Sequence, residues 1–158
     1  MRTSQWTALV IAAGIGWVMP AQASHPIQVG VYPPAQLVDE GDSITGARLN
    51  LPYSTNAGLT GVDVGLFNRI SGNLTGLELG IVNVVGVDTH RAIQVGGWND
   101  SQTLSGLQFG LLNRTDSVEG LQFGIVNMAK GTEHGLQLGL LNYNPNARLF
   151  KYMPLISW

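Results

Sequence analysis

Gly106-Leu-Gln-Phe-Gly-Leu-Leu-Asn113 is followed six residues later by Gly120-Leu-Gln-Phe-Gly-Ile-Val-Asn127, and seven residues after that by Gly135-Leu-Gln-Leu-Gly-Leu-Leu-Asn142. Upstream, Gly61-Val-Asp-Val-Gly-Leu-Phe-Asn68 and Gly76-Leu-Glu-Leu-Gly-Ile-Val-Asn83 carry the same pattern, and Ala92-Ile-Gln-Val-Gly-Gly-Trp-Asn99 a weaker form. The eight positions read Gly, apolar, polar, apolar, Gly, apolar, apolar, Asn, and the closing Asn residues are 14 to 16 apart. A short fixed period of this kind specifies a stacked array whose units contact only their neighbours. Degenerate units flank the clear ones: Pro26-Ile-Gln-Val-Gly-Val-Tyr-Pro33, Gly46-Ala-Arg-Leu-Asn-Leu-Pro-Tyr53 and Phe150-Lys-Tyr-Met-Pro-Leu-Ile-Ser157. The array thus holds about nine units, with atypical ends as capping requires.

Within a unit, positions two, four and six are apolar while position three is polar, which is the alternation of a β-strand. Two glycines in eight residues would each weaken a helix by ~1 kcal/mol. The six or seven residues between the best-matched units, such as Arg114-Thr-Asp-Ser-Val-Glu119, are rich in turn formers. The expected fold is all-β, a β-solenoid-like array of about nine repeats of 14–16 residues. In a solenoid each unit is one coil and identical residues stack ~4.8 Å apart. Asn68, Asn83, Asn99, Asn113, Asn127 and Asn142 then form an internal ladder of amide hydrogen bonds, and the apolar positions are expected to fill a narrow core. The alternative is an antiparallel β-meander or small barrel. The final Tyr152…Ile156…Trp158 alternation favours that alternative, whereas the short units and Pro154 oppose it. Position five reads either as a left-handed backbone site, since Asn50 replaces Gly there, or as a site of close packing. Position one, which accepts Ala92, reads as a requirement for smallness.

The N-terminus has the features of a secretory signal peptide: Arg2, an apolar stretch from Trp6 to Met19, and the small-x-small site Ala21-Gln-Ala23. The expected organisation is a signal peptide at 1–23 and a single β-repeat domain at 24–158, exported to the periplasm, outer membrane or cell surface. The mature chain has no Cys and carries 7 basic against 10 acidic residues. Disulfides and thiolate metal sites are therefore excluded, and nucleic acid is not an expected partner.

The chain contains no nucleophile elbow, phosphate-binding loop or calcium-roll signature. His25, His90 and His134 are scattered. No catalytic, cofactor-binding or metal-binding residue is expected. Position three runs Arg48, Asp63, Glu78, Gln94, Gln108, Gln122, Gln137. On the usual assignment of apolar residues to the core, this row lies outside. Gln94, Gln108, Gln122 and Gln137 are then a candidate binding face for a glycan, a cell-envelope component or a second copy. Arg48 and Asp63 would make a surface pair. Asp63 and Glu78, two carboxylates at coil spacing, leave a carbohydrate-active enzyme as a less favoured alternative.

The Val29-Gly-Val-Tyr-Pro-Pro34 segment, Gly46 to Tyr53, the tandem Gly-Leu-Gln-Leu-Gly-Leu-Leu-Asn units and Pro154-Leu-Ile-Ser-Trp158 together resemble the LA_2272-type bacterial surface repeat-containing proteins. The resemblance spans nearly the whole mature chain. It implies an exported bacterial protein and brings no catalytic residues. The expected function is a non-catalytic structural, adhesive or binding role, with a membrane-associated protein or outer-membrane barrel as the alternative. N-terminal sequencing of the exported protein is expected to begin at Ser24; a chain beginning at Met1 would contradict the reading of residues 1–23.

Overall fold

The computed structural model describes residues 24–32, 35–132, 134–147 and 150–158. The expected signal peptide at 1–23 lies outside these residues. The described chain is nearly all strand: β1 (Ser24–Tyr32), β2 (Ala35–Gln36), β3 (Ser43–Asn56), β4 (Gly58–Ile70), β5 (Leu74–Leu79), β6 (Val82–Val118), β7 (Leu121–Gly131), β8 (Leu136–Tyr143) and β9 (Tyr152–Ser157). They form one sheet in the order β2-β1-β3-β4-β5-β6-β7-β8-β9.

The pairing is that of a β-solenoid of about eight turns. β1 through β8, apart from β2, pair in parallel, with like positions opposite one another: Asp63 faces Glu78, Phe109 faces Phe123 and Asn127 faces Asn142. The eight units beginning at residues 26 to 135 are coils. The ninth is not: β9 runs antiparallel to β8, with Ile156 opposite Leu138 and Tyr152 opposite Tyr143. At the other end β2 pairs antiparallel with β1. Both ends are thus closed by a reversed strand, and Pro154 lies in the outermost one, where it cannot donate to a further strand.

The Asn row lies inside as expected, but position three and the apolar positions exchange the sides expected of them. Among the described residues, 24 polar or charged residues are buried against 10 hydrophobic ones. Position three and position eight point inward in every clear unit. Leu111, Phe123 and Leu140, which were expected in the core, are 59%, 53% and 67% exposed. The apolar core that does exist lies in the inter-unit segments, as a column including Ile44, Leu59 and Leu74 and a second patch of Leu104, Val118 and Ala129. Positions six and seven both point outward (Leu66 and Phe67, Leu111 and Leu112). In a strand, two successive outward residues require a convex corner. The pairing skips a residue there, passing from Gly110↔Gly124 to Leu112↔Val126.

The glycines at position five serve close packing. A Cβ on Gly110 would sit 2.6 Å from Asn99 Nδ2, 2.7 Å from the Gly96 carbonyl oxygen and 2.8 Å from Asn113 Oδ1. Of the two readings of position five, close packing holds, and the left-handed backbone lies instead at position one, where Gly46, Gly61, Gly76 and Gly106 have φ of 148°, 139°, 125° and 156°. There a Cβ would overlap the carbonyl oxygen of the preceding coil, so those four sites need glycine and not merely a small residue. Asn50 has no positive φ. Gly110→Ala is expected to destabilise the fold by about 1–3 kcal/mol through overpacking, while Gly41→Ala, with open space around it, leaves the denaturant midpoint unchanged.

Candidate functional site: the polar interior and the apolar exterior

Two carboxamide ladders run inside the solenoid, one of Asn through seven coils and one of Gln through four. In the first, each Asn side chain donates to the Oδ1 of the next: Asn50 to Asn68, then Asn83, Asn99, Asn113, Asn127 and Asn142, all at 2.8–2.9 Å. From Asn68 to Asn127 the second N–H reaches the carbonyl of position four in the following coil, as in Asn99 to Phe109 and Asn113 to Phe123 at 2.9 and 3.0 Å, whereas Asn50 gives it to Asp63. A side chain here must offer two donors and one acceptor at short reach, and only Asn does so. In the last coil Asn142 donates to the Met153 carbonyl of β9 instead, at 3.1 Å. Asn50 occupies position five of its unit, where other units have Gly, and Ser54 takes the register place opposite Asn68. The ladder therefore begins one step early on a different residue.

The second ladder is position three. Gln137 donates to Gln122, Gln122 to Gln108, and Gln108 to Gln94, at 2.7–2.8 Å. Gln94, Gln108, Gln122 and Gln137 have no exposed surface, so the proposed exposed binding face does not exist. The amides are stacked inside, each donating to its neighbour, and Gln137 Oε1 at the end of the row receives no hydrogen bond from the described residues. The two ladders point in opposite directions: Asn donors toward the C-terminus, Gln donors toward the N-terminus.

The Gln ladder ends on a buried charged cluster. Gln94 donates to Glu78 Oε2 at 2.7 Å. Asp63 accepts from Arg48 in bidentate fashion, with Nε to Oδ1 at 2.9 Å and Nη2 to Oδ2, and from Asn50 at 2.9 Å. The Arg48–Asp63 pair, expected on the surface, is fully buried. Burial, followed by the adjacent Asp63 carboxylate, pushes Glu78 up to about 8. Burial also raises Asp63, opposed by Arg48. The single proton belongs on Glu78, because Asp63 has the guanidinium. Protonated Glu78 links Gln94 to Asp63 and leaves the cluster neutral, with Arg48 balancing Asp63. Glu78 Oε1 receives no hydrogen bond from the described residues, and a proton on Glu78 lets it donate to Asp63 instead.

This cluster has no access to solvent, so the two carboxylates cannot flank a glycosidic bond. His25 pairs with Asp42 at 3.2 Å, remote in register from the carboxylates. Among the described residues, no group of three or more His, Cys, Asp or Glu could hold a metal ion. A cleft of about 940 Å³ opens beside the C-terminal cap, lined in part by Asp116, Lys130, His134 and Trp158. Lys130 is already paired with Asp116 at 2.8 Å.

The exterior carries the unassigned chemistry. Position four is apolar in all eight coils and continues into the cap: Val29, Leu49, Val64, Leu79, Val95, Phe109, Phe123, Leu138, then Ile156. Position two is likewise Ile, Ala, Val or Leu from Ile27 to Leu136. Charges begin at position nine, with Arg69, Asp100 and Arg114. Sequence reading missed this face, although its signal was present in the identity of the residues at positions three and eight. No protein-family model, curated protein or solved structure matches the chain.

The raised Glu78 carboxyl makes the stability of the fold depend on pH. Its folded value is raised, so its contribution to stability is complete below about 4.5 and is lost progressively as pH rises to about 8. Glu78→Gln keeps a donor to Asp63 and has no proton to lose. At pH 9 the variant is expected to exceed the parent in stability by on the order of 1–3 kcal/mol, with the gap closing near pH 5. A gap independent of pH in chemical denaturation would contradict the protonated link.

Proposed function

We propose that this chain is a non-catalytic docking scaffold, exported from a bacterial cell, whose solenoid presents an apolar exterior to a partner. The observation that supports this reading is the unbroken run of apolar side chains at positions two and four across every coil. Monomeric soluble proteins rarely expose apolar patches beyond ~300–600 Å², and eight coils at ~4.8 Å spacing carry this one over ~38 Å. The burial of every position-three side chain argues against glycan recognition through that row. It equally argues against hydrolysis by Asp63 and Glu78. The resemblance to surface-repeat proteins and the signal-like residues 1–23 support export.

Phe109→Gln combined with Phe123→Gln tests the reading. Both rings are outward, 6.0 Å apart between centroids. The double variant is expected to lose retention on a phenyl matrix while melting within about 2 °C of the parent, since the fold does not depend on exterior residues. Equal retention, or substrate turnover abolished by Glu78→Gln, would overturn the proposal.

A further inference from the structure

We infer that the occupant of the apolar exterior is the hydrocarbon of a lipid bilayer, with the solenoid lying along the membrane surface and its convex corner turned into the lipid. The inference rests on the docking reading above. Four observations select lipid over a rigid partner such as a second copy.

The apolar zone is convex. It covers positions two and four on one side of the coil, turns the corner at position six and continues at position seven. Two sheets packed face to face would cover positions two and four alone. Leu111 and Leu140, 59% and 67% exposed at the corner, would stay in water. A fluid phase covers both sides of a corner.

The only polar side-chain atoms in the zone are the Tyr32 hydroxyl and the Trp98 indole N–H. No charged side chain and no side-chain amide occupies positions two, four, six or seven in any of the eight coils. Contact with hydrocarbon requires backbone and side-chain polar groups to be satisfied internally. Here successive coils bond to each other, the carboxamides turn inward, and β2 and β9 close the ends.

One edge of the zone carries an aromatic residue and, at position nine in three of the eight coils, a charge. Trp98 stands at position seven, 43% exposed, and charges begin two positions further on, as interfacial aromatics and charges do. Arg114 pairs with Asp100 at 3.5 Å, and two positions further along Lys130 pairs with Asp116 at 2.8 Å. From Ser24 onward the chain carries 7 basic against 10 acidic residues, so there is no net basic charge for anionic headgroups and the attachment is apolar rather than electrostatic.

The orientation follows from length. Eight coils reach ~38 Å, beyond a hydrocarbon core of ~30 Å, and the polar side runs along the same axis. The axis therefore lies in the membrane plane.

Flotation of the full chain with vesicles of pure phosphatidylcholine tests the inference, alongside analytical ultracentrifugation without lipid. The protein is expected to float, equally at low and high salt. Leu111→Gln combined with Leu140→Gln is expected to lower the bound fraction by about tenfold or more at unchanged melting temperature. Asp116→Ala is expected to float like the parent. Flotation unaffected by the double variant would place the contact elsewhere and overturn the inference. Flotation that requires anionic lipid and is lost at high salt would overturn it too. A parent that does not float but sediments as a dimer, dissociated by the double variant, would overturn the lipid inference while leaving the docking reading intact. A parent that neither floats nor self-associates would overturn both.

Discussion

From the second coil to the seventh, each coil holds an Asn carboxamide whose two N–H groups must both find acceptors in the next coil. That requirement fixes most of the other features. From Asn68 to Asn127 the acceptors are the next Asn Oδ1 and the carbonyl of position four, so coils must stack in parallel and in register. The amide lies against position five, so position five is Gly. The last amide needs an acceptor beyond the last coil, and β9 provides the Met153 carbonyl. An unpaired buried amide costs about 1–3 kcal/mol, so an error in any one coil is felt by its neighbours.

A polar interior leaves apolar residues only the exterior. The interior of so narrow a coil holds two ladders and a thin apolar column, and the alternating strand sends each remaining Leu, Val, Ile and Phe outward. The same alternation that organises the inside thereby builds the surface proposed to meet lipid. At the N-terminal end the Gln ladder gives way to Glu78, Asp63 and Arg48. These keep the hydrogen-bonded row continuous while replacing neutral amides with a proton-dependent link. Breaking such a buried pair by removing one partner is strongly destabilising, so the cluster also resists loss of any single member.

The repeat, the strand character, the solenoid and the Asn ladder were legible in the sequence, because each follows from spacing. The inside and outside were not. Period-two alternation divides a strand into two faces without saying which one is buried. The usual assignment of apolar residues to the core pointed the wrong way. A finer signal was present: positions three and eight repeat the same residue, Gln94, Gln108, Gln122, Gln137 and six Asn, whereas position four drifts among Val, Leu and Phe. A hydrogen-bonded ladder needs one length and one functional group, while an outward apolar row needs only hydrophobicity. The ninth unit was misread for a related reason. Phe150 to Ser157 keeps the spacing of a coil but lacks both the Gln and the closing Asn, and without them it reverses and caps.

The most direct test of an amide-built interior is to replace one rung by an apolar residue of similar size. Asn113 is fully buried, a position where Leu would ordinarily stabilise a protein by added burial. With the ladder as described, Asn113→Leu strands the Asn99 donor, the Asn127 acceptor and the Phe123 carbonyl, and thermal unfolding should show a loss of about 2–5 kcal/mol. A melting temperature equal to or above that of the parent would contradict the account.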